Sequence, residues 1–311
     1  MSSQAEPRTA AQQPNDRLLD GVTVVSTAVN LPGPLAASRL AALGARVVKI
    51  EPLHGDPFAR MAPEWYERLA AGQDVHRLDL KSPGDRARLD TFLERADLLI
   101  TASRPSSLER LGLGWEALQA RFPRLSHAAI IGYREPMEER PGHDLMYVSG
   151  LGLLHPPQMP ATLLADLTGA EKTVSVALAL LYAASRGGAG QRRSVSLADS
   201  AAELAEPMKF GLTRPGALLG GGLAEYNIYA ANPGWIALAA LEPHLFAAVR
   251  QALGLADATR ERLQDVFLTR SADEWEAWAL ERNLPISRIT EPRASTVRPI
   301  NEVNPDGVLR S

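Results

Sequence analysis

The sequence predicts an α/β protein: a large domain on a doubly wound parallel sheet, then a smaller α+β domain. Three observations carry this expectation. A strand–loop–helix–strand unit opens the chain, further buried-strand runs follow it at helical spacing, and a proline- and glycine-rich break precedes a change of pattern. The first strand is the β-branched run Val22-Thr23-Val24-Val25. A Pro/Gly loop and an alanine-rich helix through Leu43 lead to the second, Arg46-Val47-Val48-Lys49-Ile50, and the right-handed crossover makes the two parallel. Residues 85–96 read as a helix, 98–101 as a buried strand and 127–131 as the next. A long apolar helix over 169–185, expected to be buried, closes at Gly187 and Gly188, and 193–197 form a further strand. Pro215, Gly216 and the glycines 220–222 mark a linker over 214–223. Beyond it, strands at 226–229 and 235–238 flank the turn Ala231-Asn232-Pro233-Gly234, with helices at 243–253 and 272–282. The expected division is therefore a large domain over 18–213 and a small one over 224–289.

Composition narrows the function. Of 311 residues, 45% are hydrophobic and 22% charged, the mix of a globular enzyme rather than a disordered, collagenous or coiled-coil chain. With 33 Lys and Arg against 36 Asp and Glu, the net charge of −3 supplies no basic field for nucleic acid. The absence of cysteine excludes disulfides, thiolate nucleophiles and iron–sulfur clusters, and is compatible with a cytoplasmic location. The six histidines are scattered singly, so no metal site is expected. The polar lead over 1–17 is expected to be disordered. The most apolar stretch, 174–184, is shorter than the ~20 residues of a bilayer crossing, so no membrane partner is expected.

The opening unit invites a dinucleotide reading, with Glu51 as the acid that would hold a ribose. The loop Asn30-Leu31-Pro32-Gly33-Pro34 argues against it, carrying one glycine where that fingerprint needs three. No phosphate-cradling loop occurs elsewhere. What the opening does resemble is the family III CoA-transferase (CaiB/BaiF) superfamily, and within it the α-methylacyl-CoA racemase subgroup. The similar elements recur in order: residues 33–45, Val47-Val48-Lys49-Ile50-Glu51-Pro52, Leu78-Asp79-Leu80-Lys81, Ser103-Arg104-Pro105, Leu111-Gly112-Leu113-Gly114, Phe122-Pro123-Arg124-Leu125, Leu164-Ala165-Asp166-Leu167-Thr168-Gly169 and residues 188–197. The resemblance spans about residues 18–289. It implies a Rossmann-like large domain that binds coenzyme A as part of an acyl-CoA substrate, an interlocked homodimer, and no prosthetic group. It also implies that residues 290–311 return to the large domain.

Read alone, Asp166 is a helix N-cap, since it precedes Gly169 and a long helix. The resemblance places the family's catalytic aspartate there. His143, in Gly142-His143-Asp144-Leu145-Met146-Tyr147, reads alone as a loop or helix-start residue; the motif is similar to that of the racemases, where the transferase branch has Tyr or Phe. Inversion beside a thioester needs two proton-transfer groups on opposite faces of the carbon, and Asp166 and His143 are the expected pair. Glu242, before Pro243, reads alone as helix capping. The resemblance of its surroundings to the racemases implies that it orients His143.

Lys49 and Arg104 each read alone as solvated surface charges, but match family positions near the CoA site, and the amides from Leu167 to Gly169 are the expected donors to an enolate oxygen. Three positions depart from the pattern: Pro52 stands where several racemases carry arginine, Thr162 where an asparagine is usual, and Ala170, after Gly169, where a second glycine is common. The implied activity is racemisation or epimerisation at the α-carbon of 2-methylacyl-CoA thioesters. The alternatives are CoA transfer through an aspartyl thioester at Asp166 and a CoA-binding homologue without turnover.

Overall fold

The structure is a computed structural model that describes residues 17–290. Apart from residues 17 and 290, the lead expected over 1–17 and the return segment expected over 290–311 fall outside the described residues. The chain divides into two compact units between Glu206 and Pro207.

The first unit alternates strands and helices as the crossovers require. In order these are β1 (Thr23–Ser26), α1 (Pro32–Ala42), β2 (Arg46–Glu51), α2 (Phe58–Met61), α3 (Pro63–Ala70), β3 (Asp74–Arg77), α4 (Pro83–Leu93) and β4 (Leu98–Thr101). They continue with α5 (Pro105–Arg110), α6 (Trp115–Arg121), β5 (Ser126–Ile131), α7 (Asp144–Val148), α8 (Leu164–Ser185), β6 (Arg192–Ser196) and α9 (Leu197–Leu204). The six strands form one parallel sheet in the order β3-β2-β1-β4-β5-β6, the doubly wound arrangement that the opening unit predicted. Alternate residues feed opposite faces: Val24, Val47, Leu98 and Ile130 join a core with residues of α1, α8 and α9, while Val25, Val48, Ile50 and Leu99 pack with Leu89, Leu108 and Leu118 on the other side.

Two expectations are corrected here. Helix α8 begins at Leu164, five residues before Gly169, so Asp166 lies inside its first turn. It is also not buried as a whole. Ala165, Gly169, Thr173, Ala177 and Leu180 form a buried stripe at helical spacing, while Tyr182 on another face is 64% exposed. Strand β3 was not anticipated, because as an edge strand it pairs with β2 alone and its sequence, Asp-Val-His-Arg, needs no buried face.

After α10 (Glu206–Lys209), which spans the division, the second unit holds β7 (Tyr226–Ala230), β8 (Trp235–Ala239), α11 (Pro243–Leu253), α12 (Arg260–Phe267), α13 (Ala272–Glu281) and β9 (Ile286–Arg288). The three strands form an antiparallel sheet, β7-β8-β9, over a core of Tyr229, Ile236, Phe267 and Trp275. The stretch 214–223 lies in this unit and contains the irregular turn Leu218–Gly222.

Candidate active site

In a doubly wound sheet the loops beyond the carboxyl ends of the strands leave a crevice where the strand order reverses, here between β1 and β4. A cavity of about 210 Å³ lies there, lined by Asn30 after β1, Ala102 after β4, Ile130 to Gly132 at the end of β5, and His143, Tyr147 and Asp166. A second cavity of about 210 Å³ shares the His143–Tyr147 wall and adds Arg104, Glu138 and Arg140.

One residue brings positions 143 and 166 together. The residue before α8, Leu163, has no side chain able to cap, and the work is done by Asp144, whose Oδ1 accepts from the amides of Ala165 at 2.7 Å and Asp166 at 2.9 Å. Because Asp144 opens α7 and follows His143, this pins the start of α7 to the start of α8. The cap reading of Asp166 is thereby corrected: the capping carboxylate belongs to Asp144, and the Asp166 side chain is left to the cavity. His143 precedes α7 in extended backbone, its carbonyl accepting from the Met146 amide at 2.8 Å while its ring makes no capping bond.

The electrostatics follow from this arrangement. Burial raises the Asp166 carboxyl to about 6, the negative charge of Asp144 adds to the rise, and His143 offsets part of it. Tyr147 is pushed up to about 12, chiefly by burial, so its hydroxyl stays protonated at neutral pH. Its ring fits because Gly132 and Gly142 lack side chains; a Cβ at either would come within 2.6 Å of the tyrosine.

Three expected contacts, Lys49 with CoA and the Leu167 and Gly169 amides with the enolate oxygen, are not among the lining of either cavity. Lys49 is 1% exposed, its Nζ 2.8 Å from both Glu51 Oε1 and Asp56 Oδ2 and above the Tyr66 ring, so no approaching phosphate can reach it. Glu51 accepts the Tyr66 hydroxyl at 2.7 Å; its own burial favours the neutral form, but the Lys49 and Tyr66 bonds prevail and its pKa is lowered. Leu167 packs beside Leu31 and Phe58, and its amide donates to the Leu163 carbonyl at 3.1 Å as part of the helix. Gly169 is buried against Leu197, whose Cδ2 would lie 2.2 Å from an added Cβ, so packing accounts for the glycine.

Arg104, by contrast, is exposed on the wall of the second cavity. Glu242 stands in the second unit, at the N-terminus of α11 with Pro243 in the first turn, exposed and without a capping bond. Thr162 is exposed just before α8. Pro52 and Lys81 line a further cavity of about 480 Å³ at the carboxyl ends of β2 and β3.

Sequence reasoning missed Asp144, Arg140 and Asp56. Asp56 Oδ1 accepts from the Asn30 and Phe58 amides, each at 2.9 Å, and so fixes the cavity loop in which Asn30 holds a left-handed φ of 68°. Among the described residues no cluster of metal-ligating side chains occurs, and no helix is long and apolar enough to cross a membrane.

Comparison with known proteins adds the following. The pattern of CoA-transferase family III matches residues 19–303. The α-methylacyl-CoA racemase of Homo sapiens is 29% identical over 288 residues, covering 83% of this chain and 74% of the racemase. The acetyl-CoA:oxalate CoA-transferase of Acetobacter aceti is 31% identical over 197 residues, covering 58% of this chain and 51% of the transferase. A CaiB/BaiF family protein of Brucella suis has the same fold, with a TM-score of 0.74 at 23% identity over 89% of this chain and 85% of that one.

Proposed function

This chain belongs to CoA-transferase family III, and from that membership we propose that it is an acyl-CoA epimerase that inverts the α-carbon of 2-methylacyl-CoA thioesters. The observation that carries the reading is the cavity faced by both Asp166 and His143, in which burial lifts the carboxyl to about 6. A carboxylate of ordinary pKa is a weak base; one raised toward imidazole lets either partner begin the reaction.

In one direction the Asp166 carboxylate removes the α-proton, and the C–H electron pair moves into the thioester carbonyl to give an enolate. The His143 imidazolium then protonates the opposite face. The enzyme is left with protonated Asp166 and neutral His143, the state that catalyses the reverse inversion. The protonated Tyr147 hydroxyl is the donor available on the shared wall for the enolate oxygen. CoA enters as part of the substrate and no prosthetic group takes part. Its nucleotide end fits the 480 Å³ cavity beside Lys81, where parallel sheets commonly take ligands, and Arg104 and Arg140 supply cations beside the thioester cavity. The acting species is the interlocked homodimer.

The test is proton NMR in deuterium oxide with 2-methylacyl-CoA thioesters. Wash-out of the α-proton is expected in wild type and lost at least about 100-fold in both Asp166→Asn and His143→Ala. The wild-type rate should climb with pH through about 6 as the Asp166 carboxyl ionises. Acyl exchange onto a second acid that survives His143→Ala would instead establish the aspartyl-thioester transferase. CoA binding with neither reaction would mark a homologue without turnover.

A further inference from the structure

The sheet face that carries α5 and α6 holds another cavity, of about 460 Å³, sharing no residue with the two that contain His143. His127 of β5 and Arg192 of β6 line it, with Leu108, Leu113 and Trp115 as apolar wall and the exposed Glu109 and Glu116 at the rim. His127 and Arg192 are direct partners in the parallel register, so both side chains leave the same face of the sheet on adjacent strands.

His127 is 1% exposed, and its Nε2 lies 2.9 Å from the fully buried Thr101 Oγ1. Among the described residues that hydroxyl has no other side-chain or backbone partner, so its proton is satisfied by donation to Nε2. The imidazole proton then sits on Nδ1. Nδ1 is buried and has no hydrogen-bond partner among the described residues, and the Arg192 guanidinium makes no ion pair there. Burial, reinforced by Arg192, holds the ring neutral by lowering its pKa to about 3. His127 and Arg192 both line this cavity, and the buried Nδ1–H lacks an acceptor, an arrangement that costs stability unless something supplies one.

We propose that this cavity binds the carboxylate of a small monocarboxylic acid with an aromatic or branched apolar body. One carboxylate oxygen accepts from His127 Nδ1–H and the other from Arg192, and the body lies against Leu113 and Trp115. Glu109 and Glu116 at the mouth repel a second negative charge, which selects monoacids over diacids. The site does not depend on the acyl-CoA reaction, so the two readings stand or fall separately.

Phenylacetate titrated into the full-length protein, followed by nitrogen-edited NMR of the histidine rings and by tryptophan fluorescence, tests this directly. The expected result is an Nδ1-protonated His127 in the free protein whose signal moves on saturable binding. Affinity should fall about tenfold or more in Arg192→Gln, in which a guanidinium with no ion pair among the described residues is removed, and for the neutral isostere 2-phenylacetamide and the diacid phenylmalonate. Arg104→Gln should leave it unchanged. An Nε2-protonated His127, absence of saturation, or equal affinity for the amide would overturn the proposal. So would binding lost in Arg104→Gln but kept in Arg192→Gln, which would assign the acid to the thioester cavity.

Discussion

Asp166 carries a conflict between function and stability. Its folded pKa of about 6 exceeds the ordinary 3.8, so the native state holds the proton more tightly than the unfolded chain does. Below 3.8 both states are protonated and nothing is lost; as pH rises through the interval to about 6, the charge is forced on a half-buried group and stability falls. Asp166→Asn should therefore be more stable than wild type at pH 7, by about 1 to 2 kcal/mol after allowance for its solvent-facing side, while losing activity. Thermal melts at pH 7 and pH 3 check this, and the advantage should vanish at pH 3. The pairing of His143 with Asp166 was expected from the resemblance of their motifs, and the two residues do line one cavity. Asp144 was not, since a capping bond from 21 residues away leaves no local pattern.

Lys49 shows why a strand cannot be read one residue at a time. Alone it looks like a surface cation, and its two carboxylate partners are ordinary acids two and seven positions along. Only the packing of β2 with the loop before α2 reveals a buried cluster, 1% exposed at Lys49 and Glu51 and 2% at Asp56. Lys49→Met would leave two carboxylates buried without their cation, and a loss of about 3 to 5 kcal/mol is expected in urea unfolding. A loss below 1 kcal/mol would mean that water reaches the cluster. The strands β1, β2, β4 and β5 were legible because buried parallel strands must be apolar on both faces. The length of α8 was not: its first turn is stabilised by Asp144 rather than by its own sequence.

At the scale of the whole molecule, the doubly wound sheet, its edge strand β3 apart, and the β7–β8 hairpin of the second unit follow from local patterning, whereas α12, β9 and assembly do not. Helix α8 leaves Leu178 and Tyr182 exposed, 37% and 64%, on a helix whose other face is core. In the proposed dimer such residues are expected to lose their exposure. Light scattering of the purified protein should give twice the chain mass of 33.5 kDa, and Tyr182→Glu should shift the particle toward one copy. A wild-type particle of single mass would reject the dimer.

Residues 149–163 link α7 to α8, whose starts are tied by the two bonds of Asp144; Leu151 and Leu154 pack against the core, and the stretch beyond them is mostly exposed. The ends of this loop are set by the clasp and not by its length, and doubling a loop costs only about 0.6 kcal/mol in closure entropy. A flexible insertion near residue 156 should leave α-proton exchange within about threefold of wild type, with Asp144→Asn removing that tolerance. The segment is thus a permissive graft point beside a fixed pair of bases, a place where diversification can proceed without re-evolving the chemistry.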